Sequence, residues 1–167
     1  MNTRLITSIF FIAIVFASCK KDDFGYLTQS HPDVPVTVDN VFGVYNGVPT
    51  VQTSLSGGGA ITIKLSIPSS TGRTIKEITR VGIHTTPNGG YATVRTTTGL
   101  YNTAPIPGSG TSVTFTTSLT EFTGKTGIAV TTGGTATSFL SRYFYFLITL
   151  DNGQEVIPVP VRVYVNT

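Results

Sequence analysis

The residue types able to do chemistry are few in this chain: one cysteine, two histidines and eight acidic residues. His31 and His84 lie far apart, and neither has a second histidine or a cysteine nearby, so no metal-ligand set of familiar spacing is present. Serine and threonine abound, but a nucleophile needs a base and an orienting acid within reach. His84 is the one plausible base in the part expected to fold, it reads as a half-exposed strand residue, and no Gly-x-Ser-x-Gly elbow occurs. Carboxylate pairing of the glycosidase kind would have to come from Asp39, Glu77, Glu121, Asp151 and Glu155. Asp151 and Glu155 flank a turn, and Glu77 sits between Lys76 and Arg80 on what reads as a solvated face. Gly57-Gly58-Gly59 and Gly108-Ser109-Gly110 lack the lysine and following helix of a phosphate cradle and read as turns, and no twelve-residue calcium loop is visible. The expectation is a protein that is not an enzyme, holding no metal and no cofactor.

Cys19 is the exception, because of where it stands. Arg4 is the one charged side chain before it, Leu5 to Phe16 is an apolar run broken only by Thr7 and Ser8, and Ala17-Ser18 places small residues before the thiol. Twelve residues of helix rise about 18 Å, short of the ~30 Å hydrocarbon core, so the run is too short for a spanning helix. The segment Phe16-Ala17-Ser18-Cys19 resembles the lipobox of bacterial lipoproteins, with Phe16 where that family usually has Leu. The resemblance implies a signal peptide over 1–18, diacylglycerol on the Cys19 sulfur and an acylated new amino terminus. Lys20-Lys21-Asp22-Asp23 resembles a lipoprotein surface-export signal, which implies an outer-membrane, lipid-anchored protein exposed on the cell surface. Several acyl chains on one residue, at ~0.8 kcal/mol per buried methylene, hold where a single chain would release.

Composition narrows the rest. With 11 basic against 8 acidic residues and no basic cluster beyond Lys20-Lys21, the electrostatic footprint of a nucleic-acid binder is missing. A single cysteine allows no internal disulfide, so stability rests on the core. Threonine, valine, isoleucine and aromatic residues dominate, punctuated by 18 glycines and 9 prolines, which favours strands joined by turns.

The elements that must position any site follow from the pattern. Residues 19–40, from the lipidated cysteine onward, are expected to form a flexible tether, and 41–167 a single β-domain. Ile61, Ile63, Leu65 and Ile67 alternate with polar residues, the signature of a half-buried strand. Ile75, Ile78 and Val81 have a helical spacing, yet Val81 to Thr85 alternates, and a strand is expected from Glu77. Further strands are expected at Tyr91–Thr97, Ser112–Thr117, Ile128–Thr132, Phe139–Leu150 and Glu155–Val165, with a helical turn near Thr120–Thr123. Seven or eight short strands with a turn near every tenth residue indicate an all-β antiparallel sandwich. From Val41 to Thr167, with Val81–Asn88 and Tyr143–Val165 as the most similar segments, the pattern resembles immunoglobulin-like or fibronectin-III-like domains of surface lipoproteins.

Asp151-Asn152-Gly153-Gln154 marks a hairpin. Pairing Leu150 with Glu155 sets Ile148 opposite Ile157, Phe146 opposite Val159 and Phe144 opposite Val161, an apolar inward face packed on Ile61, Ile63 and Leu65. Pro158 and Pro160 both lack a donor on the same strand edge, so a bulge or an interrupted ladder is expected near Pro158. The opposite face then carries Tyr143, Tyr145 and Leu147 beside Pro158, Pro160 and Arg162. Such a stripe is either covered by another part of the chain or forms an aromatic patch, with Tyr143, Tyr145 and Arg162 as the binding residues. Arg162 over Tyr143 would add a cation–π contact. The expected function is a non-catalytic surface binding or adhesion module for a glycan or a protein partner. The alternative is a structural or assembly subunit of an outer-membrane complex or pilus-like polymer, for which a missing or exchangeable strand would be the sign.

Overall fold

The computed structural model describes residues 34–130 and 139–166, all within the unit Pro32–Thr167. The chain is all-β and sandwich-like, with its strands grouped in three small sheets around one main core. Ten short strands are described, more than the seven or eight expected.

The first sheet contains β1 (Thr37–Val38), β4 (Ala60–Ser66) and β7 (Ser112–Ser118) in the antiparallel order β1-β4-β7. The alternation read in β4 holds: Ile61, Ile63, Leu65 and the following Ile67 are buried, and Ile63 and Leu65 face Phe115 and Val113 across the ladder. Val34 is buried and β1 pairs with β4, so the ordered domain includes residues 34–40, which the sequence reading assigned to the tether.

The second sheet has the order β6-β5-β8-β9, from β5 (Ile75–His84), β6 (Ile106–Pro107), β8 (Tyr143–Leu150) and β9 (Glu155–Val156). Its register explains the helix-like spacing of Ile75, Ile78 and Val81. Ile75 pairs with Leu150, Ile78 with Ile148, Val81 with Phe146 and Ile83 with Phe144, with irregularities between Ile75 and Glu77 and between Ile78 and Arg80. Each irregularity inserts one residue into β5, so inward side chains recur at three residues instead of two. Phe144, Phe146 and Ile148 join Ile61, Ile63 and Leu65 in the main core, as expected.

The third sheet contains β2 (Gly43–Tyr45), β3 (Val48–Ser54) and β10 (Arg162–Asn166) in the order β10-β3-β2. Asn46 and Gly47 join β2 to β3 with φ of 52° and 78°, the paired positive values of a tight hairpin turn that suits Asn-Gly. β10 runs parallel to β3, Arg162 beside Thr50 and Tyr164 beside Gln52.

The last hairpin departs from the expected register. Ile148 pairs with Val156 and Thr149 with Glu155, and the β8–β9 ladder then ends. Phe144 and Val161 exchange two backbone hydrogen bonds of 2.8 and 2.9 Å, as expected. One additional residue therefore lies on the later strand between Val156 and Val161, an interruption at the prolines. It also inverts them: Pro158 and Pro160 are buried and Val159 is half exposed, where Val159 was expected inside. Beyond Val161 the chain leaves the second sheet for the third.

Two short α-helices and a 3-10 turn at Ser69–Thr71 complete the described fold. Tyr91–Thr97, expected as a strand, contains instead the single helical turn α1 (Gly90–Thr93); its apolar Tyr91 and Val94 stand three apart, so one turn brings both onto the second sheet. α2 (Leu119–Thr126) extends the expected turn. The Ser118 hydroxyl accepts from the Glu121 N–H at 3.1 Å, Leu119 and Phe122 are buried, and Gly127 closes the helix at φ 68°. Residues 128–130 form no strand, and the rest of the expected Ile128–Thr132 strand lies outside the described residues.

Candidate binding face

The predicted residues separate. Tyr145 is fully buried, which corrects its expected place on an exposed patch. Its hydroxyl donates to the Thr86 carbonyl at 2.6 Å, and Tyr91 meets its ring edge-on at 5.3 Å between centroids. A Cβ on Gly90 would lie 2.1 Å from the Tyr145 ring, and one on Gly82, the cross-strand neighbour of Tyr145, 3.3 Å from Val94 Cβ. The absence of those side chains lets the loop seat itself, and Val94, Tyr145 and Leu147 form a second small core. Burial pushes the Tyr145 and Tyr91 hydroxyls above the ordinary tyrosine range.

Tyr143, at the end of the same strand, is half-buried, and the Arg162 guanidinium carbon lies 5.3 Å from its ring centroid, the contact expected from sequence. The same guanidinium is closer to Phe139, at 4.0 Å. Arg162 therefore belongs with a different group of rings. Phe139 meets Tyr45 at 5.1 Å and Tyr164 at 5.2 Å, both edge-on, and Phe42 stacks on Tyr164 at 5.7 Å. These rings lie on or beside the third sheet, and their rim is open: Phe42 is 51% exposed and Tyr45 40%.

The alternation in β10 orients the face. Val163 and Val165 enter the main core, so Arg162 and Tyr164 point away from it. Strands β2, β3 and β10 contain no acidic residue. Among the described residues Arg162 makes no ion pair, and its Nε is buried without a hydrogen-bond partner. The arrangement suits recognition by ring faces together with one cation. Phe42, Tyr45, Phe139 and Tyr164 were missed from sequence, although Phe42 and Tyr45 both lie just before the Asn46-Gly47 turn and Arg162-Val163-Tyr164-Val165 alternates visibly.

The other polar groups are occupied structurally. His84 Nδ1 accepts from the Thr86 N–H at 3.1 Å and lies beside Gly89, with no carboxylate hydrogen-bonded to it. Asp39 accepts from the Ser66 hydroxyl at 2.6 Å, and Asp151 lies 3.9 Å from Arg73. Glu121 accepts from Lys125 at 2.6 Å and from the Thr117 hydroxyl at 2.9 Å, and these two hydrogen bonds hold its carboxyl below the usual range. Among the described residues no group of three His, Cys, Asp or Glu could hold a metal ion, and no helix is long and apolar enough to cross a membrane. Cys19, Lys20, Lys21, Asp22 and Asp23 lie outside the described residues. No protein-family model, no curated protein and no solved structure matches the chain.

Proposed function

We propose that the protein is a lipid-anchored surface lipoprotein whose immunoglobulin-like domain is a binding module, with the open aromatic face of β2, β3 and β10 contacting a glycan or protein partner. The exposed rings of Phe42 and Tyr45, joined to Arg162 through Tyr164 and Phe139, carry this reading: an uncovered aromatic cluster with an arginine has the composition enriched at binding hot spots. Acylated Cys19 would hold the protein in the outer-membrane lipid, with Lys20 to Asp23 directing it to the cell surface and residues up to Asp33 as the spacer. Immunoglobulin-like topology is supported by the two antiparallel sheets β1-β4-β7 and β6-β5-β8-β9 around one core.

Two measurements test this. Cys19→Ser should leave an uncleaved precursor that no longer partitions into detergent, and unchanged processing would refute the anchor. On arrays of glycans and extracellular proteins, Phe42→Ala and Tyr45→Ala should each abolish the signals of the unaltered protein, and retention of all of them would remove this face. The assembly-subunit reading draws on β7, an edge strand with no charged residue, which is where a further strand could add. Sedimentation of a concentrated sample as a monomer would argue against it.

A further inference from the structure

We propose that the ligand of this face is an acidic glycan, with Arg162 receiving a sugar-ring carboxylate while Phe42 and Tyr45 meet the apolar C–H faces of the sugars; the inference rests on the binding reading above. Arg162 sits beside two aromatic rings, at 4.0 and 5.3 Å, with no carboxylate of the described chain paired to it. Neighbouring rings weaken the hydration of the guanidinium; its Nε is buried, which leaves Nη1 and Nη2 as the donors open to a ligand. The planar fork that remains matches a carboxylate, which can take two parallel N–H···O bonds. The surroundings match as well. No acidic residue on β2, β3 or β10 competes, and Arg162 is the one basic residue on those strands. An acidic peptide carries its charge on a flexible stem and usually needs several cations. A uronate instead holds one carboxylate rigidly on the same ring that offers an apolar face to an aromatic side chain, which suits Arg162 with Tyr45 one ring away across Phe139.

The test is calorimetric titration of the full chain in detergent with oligogalacturonate and with hyaluronan oligosaccharides, each beside its methyl ester. At least one acid form should bind, weakening about tenfold or more on esterification and equally in Arg162→Gln, as loss of a charge-assisted hydrogen-bond pair requires. Arg162→Lys should be intermediate, since it keeps the charge without the fork. Equal affinity for acid and ester, or full affinity in Arg162→Gln, overturns the inference; if Phe42→Ala still abolishes that binding, the face stands and only the charge reading falls. Failure of both acids to bind also overturns it, while the array measurements judge the face separately. Should Arg162→Gln melt early, the acid-to-ester ratio on the unaltered chain decides.

Discussion

The outer face of the β5–β8 sheet and the outer face of the β2–β3–β10 sheet are built from similar residues, and only one of them is sealed. The first carries Tyr143, Tyr145 and Leu147, the second Tyr45, Tyr164 and Arg162. What separates them is a loop: the segment after β5 folds one turn, and Gly82 and Gly90 let Val94 and Tyr91 approach Tyr145 closely enough to bury it. Over the second face the rings stack on one another instead, and Phe42 and Tyr45 stay open. Aromatic residues on a strand's outer side thus become core or site according to whether a glycine-bearing loop reaches them.

The strongest way to break this contrast is Tyr145→Ala, which should lower stability by ~3–5 kcal/mol, the cost of emptying a buried aromatic site. With a typical total of ~5–15 kcal/mol, urea unfolding would show a large shift of midpoint. Gly90→Ala should cost ~1–3 kcal/mol, because its Cβ would overlap the Tyr145 ring and the loop must lift. Tyr145→Phe keeps the ring and removes the donor to Thr86, for an expected loss of ~0.5–1.5 kcal/mol. On the open face, Phe42→Ala should change stability by no more than ~1 kcal/mol while removing the array signals. Equal destabilisation by Phe42→Ala and Tyr145→Ala would end the distinction between the faces.

The smallest effect concerns pH. The Glu121 carboxyl is lowered in the folded state, first by its hydrogen bond from Lys125 and then by that from Thr117. Its contribution is present above the ordinary carboxylate value and fades as pH falls through the depressed one. It is small because Glu121 and Lys125 are both well exposed. Melts of Glu121→Gln between neutral and acid pH should lose a slight part of the acid destabilisation.

Much of the fold was legible because burial writes period-two patterns into strands such as β4, and the sequence reading anticipated the shared core of Phe144, Phe146 and Ile148 with Ile61, Ile63 and Leu65. The bulges of β5 were hidden, since a strand with one inserted residue per step imitates helical spacing at Ile75, Ile78 and Val81. Neither the covering of Tyr145 nor the departure of the chain to a new sheet after Val161 has a local signature, for both depend on residues far away in sequence. Of the candidate face, the sequence reading named Arg162 alone, while Tyr143 and Tyr145 belong to the β5–β8 sheet. Phe42, Tyr45 and Phe139 were missed because they meet only in the folded sheet, where β10 pairs in parallel with β3 while Phe139 bridges to Tyr164 from the other side.

That parallel pairing also orders events in time. Arg162 and Thr50 stand side by side although nearly the whole domain separates them along the chain. Closing so long a loop is slow and is rewarded only once the intervening strands have shortened it. The open aromatic face, with Tyr45 from one end and Arg162 and Tyr164 from the other, therefore exists only once both ends of the domain have come together. A chain cut short before Arg162 has no such face, so any ligand that read it would report that both ends of the domain are in place.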